Sequence, residues 1–222
     1  MAYPCGRQGR PSAEGSQALD RRILAAATRL FIANGYAATS LEQIAEQAGT
    51  GKNSIYRRHP NKEKLFEAVV AGLCAPLVEA ASRFEKDISN PLQALKESCR
   101  SLLQFVVLPE SVAVYRLLAA EASRFPELVN RVQFRAIQPY LATIRRLLEA
   151  ARHNRQIRAD CDVEHTERAV MGLITGWAID QAMMGIAPFH GDQDREAFFE
   201  AAWRLLIGGL GRGVGATPPS AT

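Results

Sequence analysis

Apolar residues recur every three to four positions along almost the whole chain, and no stretch alternates apolar and polar residues long enough for a strand. That period restricts the chain to helices packed on helices, an all-α fold. Glycine, asparagine and proline divide it into about nine segments. The first is expected over about Gln17–Ala33, with Leu19, Ile23, Ala26, Leu30 and Ala33 on one face. Asn34-Gly35 ends it, because both residues tolerate the left-handed backbone of a helix C-terminus. Ser40 then has the character of an N-cap, and Gln43 three places on completes a capping box. A short second helix over 41–48 follows, then Gly49 at a sharp turn, then a third helix over about 51–58 that Pro60-Asn61 closes.

Longer helices follow. The fourth starts near Lys62, with Pro76 expected to kink it or end it early. Asn90-Pro91 opens the fifth. A sixth is expected over 111–123 after Pro109, a seventh from Pro126 to about Asn154 bent at Pro139, an eighth over 163–185 and a ninth over 193–210. The sequence pattern therefore divides into an arm (1–15), a head (16–66, with its helix-turn-helix at about 40–59), a body (67–212) and a disordered tail (213–222).

The chain has 222 residues, of which 47% are hydrophobic, enough for a packed core. No apolar run approaches the ~20 residues of a membrane span, and the N-terminus lacks an apolar signal region, so a cytoplasmic protein is expected. Cys5, Cys74, Cys99 and Cys161 are scattered, without metal-ligand spacing, and are expected as free thiols. No cofactor or metal is expected. No nucleophile–base or paired-carboxylate set stands out either, so catalysis is not expected.

Charge is uneven. Residues 1–66 carry ten basic side chains against five carboxylates, a net of +5. The remainder carries 17 against 18 and is near neutral. A basic head on a neutral body fits a polyanion partner for the head, although a solvated basic face reads the same way. Gly-Thr-Gly-Lys at 49–52 suggests a nucleotide phosphate loop, but that motif requires a glycine where Glu46 stands and a hydroxyl where Asn53 stands. It also requires a preceding strand, whereas Leu41, Ile44, Ala45 and Ala48 have helical spacing.

Short helix, tight turn, short helix is the unit whose second helix enters the DNA major groove. Ala45 is small where the two helices cross, Gly49 makes the turn, and Ile44 and Ile55 supply shared core. An ordinary helical hairpin within a bundle remains open on these features alone. The stretch "GYAATSLEQIAEQAGTGKNSIYRRHPNKEKLF" resembles the DNA-binding segment of the TetR/AcrR family of bacterial transcriptional regulators. The likeness rests on Phe31, Gly35-Tyr36, Thr39-Ser40, Ile44-Ala45, Ala48-Gly49, Ile55-Tyr56, Asn61-Lys62 and Leu65-Phe66. "FPEL" at 125–128 followed by Pro139 looks like one of the family's body types. Two departures stand out. Thr50-Gly51 replaces the usual Val-Ser, leaving Thr50 to take over the cap. His59 replaces a usual Phe at the end of the recognition helix and is expected to pack and hydrogen-bond.

The resemblance implies that the phosphates are those of a double-stranded DNA operator. Lys52, Asn53 and Arg57 are the candidates for base edges, since Arg and Lys read guanine and Asn reads adenine. Thr50, Gly51 and Ser54 lie beside them, and His59 is carried in the same set. The family pattern implies Tyr56 and Lys62 at phosphates, with Thr39 and Ser40 as further backbone contacts. Arg7 and Arg10 are candidates for a minor-groove arm.

The family further implies a homodimer in which the last two long helices pair with their mates. Val170, Leu173, Ile174 and Trp177, with Phe198, Phe199, Ala202, Leu205 and Leu206, are expected at that interface, where Gly172 and Gly176 allow close approach. An internal role for the same residues remains open. By resemblance a small-molecule effector pocket lies among the fourth to eighth helices. Gln104, Tyr115, Arg116, Glu121, Gln138, Tyr140, Trp177 and Gln181 are the polar or aromatic candidates for it. The implied protein is a repressor released when an effector favours a dimer with its heads too far apart for the operator. The reading of another class is a helical scaffold or adaptor whose head no longer binds DNA.

Overall fold

The structure is a computed structural model and describes residues 13–86 and 89–210. Among these residues it contains nine helices and no strand: α1 (Ala13–Ala38), α2 (Leu41–Gln47), α3 (Lys52–Tyr56), α4 (Lys62–Lys86), α5 (Pro91–Val106), α6 (Pro109–Glu121), α7 (Pro126–His153), α8 (Val163–Met183) and α9 (Asp192–Leu210). The fold is all-α. Arg7, Arg10, Cys5 and the tail 213–222 lie outside the described residues. The described chain gathers into two compact units, divided between Gly72 and Leu73 inside α4.

In the first unit, α1 is broken near its end by Gly35, whose φ of 80° and ψ of 166° are not helical. The stop expected at Asn34-Gly35 therefore exists, as a break within a longer element. Ile23, Ala26, Ala27 and Phe31 of α1 are buried with Ile44, Ile55, Leu65 and Phe66. Phe66 packs edge-on to Phe31, with ring centroids 5.1 Å apart, and lies 5.0 Å from Tyr36. Such aromatic pairs add about 0.5–1.5 kcal/mol beyond the area they bury.

In the second unit, α5, α7, α8 and α9 share one core built from Leu95, Cys99, Leu102, Tyr140, Ile144, Leu147, Val170, Ile174, Phe199 and neighbouring residues. The Tyr140 hydroxyl donates to the Ser98 carbonyl (3.0 Å), which satisfies the one polar atom this large side chain brings inside. A charged cluster joins α5 to α9. Lys96 bonds Glu200 (2.8 Å), and Arg100 bonds Glu196 (3.0 Å), Glu200 (2.7 Å) and Glu97 (2.5 Å). The Arg100 guanidinium also lies 4.7 Å from the Phe199 ring centroid.

The prolines within helices behave in two ways. Pro91, Pro109 and Pro126 occupy first turns, where a missing N–H costs nothing, so α6 begins at Pro109 rather than Ser111. Pro76 and Pro139 lie inside α4 and α7, and both helices continue past them. The early end considered for the fourth helix does not occur. One correction concerns membrane length: α4 is long and apolar enough over Lys62–Glu85 to cross a membrane by length and composition. Its apolar side chains Leu65, Phe66, Val69, Val70, Cys74, Leu77 and Ala81 are buried inside the protein, which accounts for that composition.

Candidate functional site

The helix-turn-helix is set by three local devices. Ser40 Oγ accepts from the Gln43 amide (3.2 Å), and Gln43 Oε1 accepts from the Ser40 amide (2.8 Å), so the capping box starts α2. Gly49 turns the chain at φ 61°, in the left-handed region that favours glycine. The Thr50 amide then donates back to the Ala45 carbonyl (3.0 Å), which closes the turn. Gly51, extended at φ −78° and ψ 146°, is the N-cap of α3, and no side chain caps that end. The cap expected from Thr50 is therefore absent, because the helix starts one residue too late for its hydroxyl.

Ile55, fully buried, fixes the inner side of α3. Gly51, Lys52, Asn53, Tyr56 and Arg57 are exposed, and the four side chains share one helical face at i, i+1, i+4 and i+5. Ser40, Thr50 and Ser54 are half-exposed. Lys52 is ion-paired with Glu42 of α2, and its ammonium lies 5.4 Å from the Tyr56 ring centroid. The hydrogen bond between them lowers the Glu42 carboxyl below its ordinary range and raises the Lys52 ammonium above its own. The sequence reading missed Glu42; it lies ten positions from Lys52 across a turn, and no single-helix spacing connects them.

Three residues expected at DNA have partners within the head itself. Thr39 is only 1% exposed, and its hydroxyl proton is shared between the Gly35 (2.8 Å) and Leu30 (3.1 Å) carbonyls. Lys62 directs its ammonium at the carbonyls of Tyr36 (2.9 Å), Ala37 (3.2 Å) and Thr39 (2.9 Å), with the Tyr36 ring centroid 4.5 Å away. Both side chains donate to main-chain carbonyls around the break in α1 at Gly35. His59 is buried, and its Nε2 lies 3.2 Å from Asp20 Oδ1. Beside it Arg58 donates to the Ser54 carbonyl (3.0 Å) and to Ser16 Oγ (3.0 Å). The expectation that His59 packs and hydrogen-bonds is met, and that role takes its ring off the outer surface. Arg58 and Asp20, which the sequence reading passed over, join α1 to the end of α3.

The second unit divides its expected interface residues by burial. Val170, Ile174, Phe199, Ala202 and Leu206 belong to its own core, with Phe198 packed against that core. The first five are buried within the single chain, and Phe198 is half-buried. Leu173 (38% exposed), Trp177 (47%) and Leu205 (70%) stand outside. Gly172 and Gly176 on α8 and Gly208 and Gly209 on α9 have no neighbouring atom within 4 Å of an added Cβ. Trp177, Phe189 and Phe198 form an aromatic triangle with centroids 5.3–5.7 Å apart.

The expected pocket residues do not converge. Tyr140 is a core residue held by Ser98; Gln104, Tyr115, Arg116 and Trp177 are exposed; Glu121, Gln138 and Gln181 are half-buried. Of these eight, only Arg116 borders a cleft of about 460 Å³, formed by the start of α6, the end of α8 and the loop joining α8 to α9. The Arg116 guanidinium donates to the Ala182 carbonyl near the end of α8.

Cys74, Cys99 and Cys161 are buried free thiols. Burial pushes Cys74 up to about 11 and Cys99 up to about 12, far from the thiolate that redox sensing uses. Among the described residues no group of three or more metal-ligating side chains converges.

A basic, exposed recognition helix on a buried three-helix scaffold, joined to a helical body, is the architecture of a helix-turn-helix regulator. The family described as "Bacterial regulatory proteins, tetR family" matches residues 23–69, and "AefR-like transcriptional repressor, C-terminal domain" matches residues 93–207. The chain belongs to the TetR/AcrR family of transcriptional regulators. It is 32% identical over 111 residues to the transcriptional repressor NicS of Pseudomonas putida, a match covering 48% of this chain and 52% of NicS. It thus spans about half the length of that relative. To the transcriptional regulator SrpR of Pseudomonas putida it is 25% identical over 75% of this chain and 76% of SrpR. In structure it is similar to a TetR-family regulator from Mesorhizobium loti, with a TM-score of 0.74 and 25% identity over 89% of this chain and 98% of that one. The regulator FadR of Bacillus subtilis, solved with stearoyl-CoA, shares the fold with a TM-score of 0.67 at 20% identity over 86% and 98%.

Proposed function

We propose that the chain is a repressor that acts as a homodimer in the bacterial cytoplasm, where it binds a palindromic operator and is released by a small-molecule effector. The observation that carries this reading is the exposed face of α3, where Lys52, Asn53, Tyr56 and Arg57 project together from a helix anchored by Ile55. Lys52, Asn53 and Arg57 read base edges. Tyr56, Thr50, Ser54 and the Ser40 end of α2 set the register on phosphates, and Gly51 permits close approach. The head, residues 16–66, does this work, and the body, residues 67–212, dimerises and takes the effector. Leu173, Trp177 and Leu205, with the bare glycine strips beside them, supply the dimer surface. The effector acts by binding better to a dimer state that fits the operator less well. FadR's stearoyl-CoA complex gives a precedent within the same fold for an amphipathic organic ligand.

Selection of bound sequences from random duplexes tests the reading. A palindromic site is expected, its half-sites about one helical turn apart. Arg57→Ala is expected to relax sequence preference, whereas Tyr56→Phe weakens all sites alike. Enrichment of no sequence, with salt-insensitive retention on DNA, would return the protein to the scaffold class.

A further inference from the structure

We infer that the cleft between α6, the end of α8 and the α8–α9 loop binds an organic carboxylate with an apolar body. The inference rests on the reading of the body as an effector domain, and it adds the place and the chemistry. The volume, about 460 Å³, lies in the range of small-molecule sites. Its walls are largely apolar: Val107 and Val112 on one side, Ile186, Pro188 and Phe189 on the other. Such walls suit a hydrocarbon or aryl body. The polar groups at the same cleft are cationic. Arg116 borders it and, among the described residues, meets only the neutral Ala182 carbonyl. Arg195 borders it too, bonded to Asp192 (2.8 Å), an exposed carboxylate that neutralises it in part. The cleft is therefore an apolar slot with an uncompensated guanidinium at its rim.

A guanidinium makes stronger and better-directed bonds to a carboxylate than to one carbonyl, since it presents parallel N–H pairs to two oxygens. A carboxylate in the slot would draw Arg116 from Ala182 at little cost, because that carbonyl, near the C-terminus of α8, also accepts from the Gly185 amide (3.1 Å). Its apolar body would press on Phe189, whose ring centroid is 5.7 Å from that of Trp177. Trp177 is exposed on α8, on the face assigned to the dimer. The cleft thus adjoins that face through the aromatic triangle of Phe189, Phe198 and Trp177.

The full chain is titrated by calorimetry with decanoate and, separately, with decyltrimethylammonium, each below its micelle concentration, while tryptophan emission is followed. Decanoate is expected to bind once per protomer with a change in emission, and the ammonium not to bind. Arg116→Gln is expected to weaken decanoate about tenfold or more, and Arg116→Lys to restore part of the loss. Equal binding of acid and ammonium by the unmodified protein would overturn the inference, and that comparison needs no variant to fold. Unchanged decanoate affinity in a folded Arg116→Gln variant would overturn it as well. Operator binding, followed by anisotropy in the same samples, separates the two readings. Loss of decanoate binding in Arg116→Gln with operator affinity intact supports the cleft. If instead another compound releases the operator from a protein that does not bind decanoate, the cleft assignment falls while the regulator reading stands.

Discussion

Replacing Leu205 by glutamate should convert a dimer into a folded monomer. Leu205 is 70% exposed on α9 and makes no use of that area in the single chain. Full burial of a leucine is worth about 1.5–3 kcal/mol, so covering the exposed part contributes about 1–2 kcal/mol per protomer. A two-fold dimer counts the contact twice, about 2–4 kcal/mol, or about 30-fold to 1,000-fold in the dimer dissociation constant. Leu205→Ala removes most of that term. Leu205→Glu adds the cost of desolvating a carboxylate beside its symmetry mate, so its loss should exceed that of the alanine variant. The folded monomer loses little, because the side chain already faces solvent. Sedimentation of both variants at micromolar concentration, with circular dichroism as the folding control, gives the comparison. A Leu205→Glu protein as dimeric as the parent, and folded, would place the interface elsewhere. A parent that is itself monomeric would refute the dimer outright.

Lys62→Ala should lower the melting temperature of the head, because three carbonyls near the end of α1 lose their donor; a lost hydrogen bond of this charged type costs about 1.5–3 kcal/mol. Weakened operator binding with an unchanged melting temperature would instead make Lys62 a phosphate contact. Cys99 should resist thiol reagents at pH 8 until the protein unfolds, and rapid labelling of native protein at that position, identified by mass spectrometry, would contradict its burial. Its thiol is raised from 9.0 in the unfolded chain to about 12, so its contribution to stability is complete below pH 9 and is lost as pH rises toward 12. A Cys99→Ala variant should lose less stability over that interval than the parent.

The head was largely legible because its signals are local. A capping box spans four residues, a left-handed glycine fixes one turn, and a buried isoleucine leaves its helical neighbours outside. Long-range uses of polar side chains were not legible. Lys62 reaches carbonyls more than twenty positions back, and Asp20 meets His59 across the fold. The family resemblance offers Lys62 as a phosphate contact and the start of α2 offers Thr39, and neither signal shows the carbonyls that both side chains hold near the end of α1.

The body exposes a different limit, and it bears on function. Period 3.6 marks α8 and α9 as apolar, but both helices have apolar residues on two faces, one for the protein's own core and one for whatever covers Leu173, Trp177 and Leu205. A single position separates buried Ile174 from exposed Leu173, about 100° around the helix. Composition cannot assign that angle, because both faces are equally hydrophobic; the packing partners α5 and α7 assign it. The same reasoning applies to the cleft. Arg116 is one of many arginines in the sequence, and the turn of the α8–α9 loop at Gly185, with φ 82°, brings Ile186, Pro188 and Phe189 to the cleft it shares with Val107 and Val112. The lining of such a cleft is therefore set by how helix ends and loops meet, and no motif in the sequence marks it.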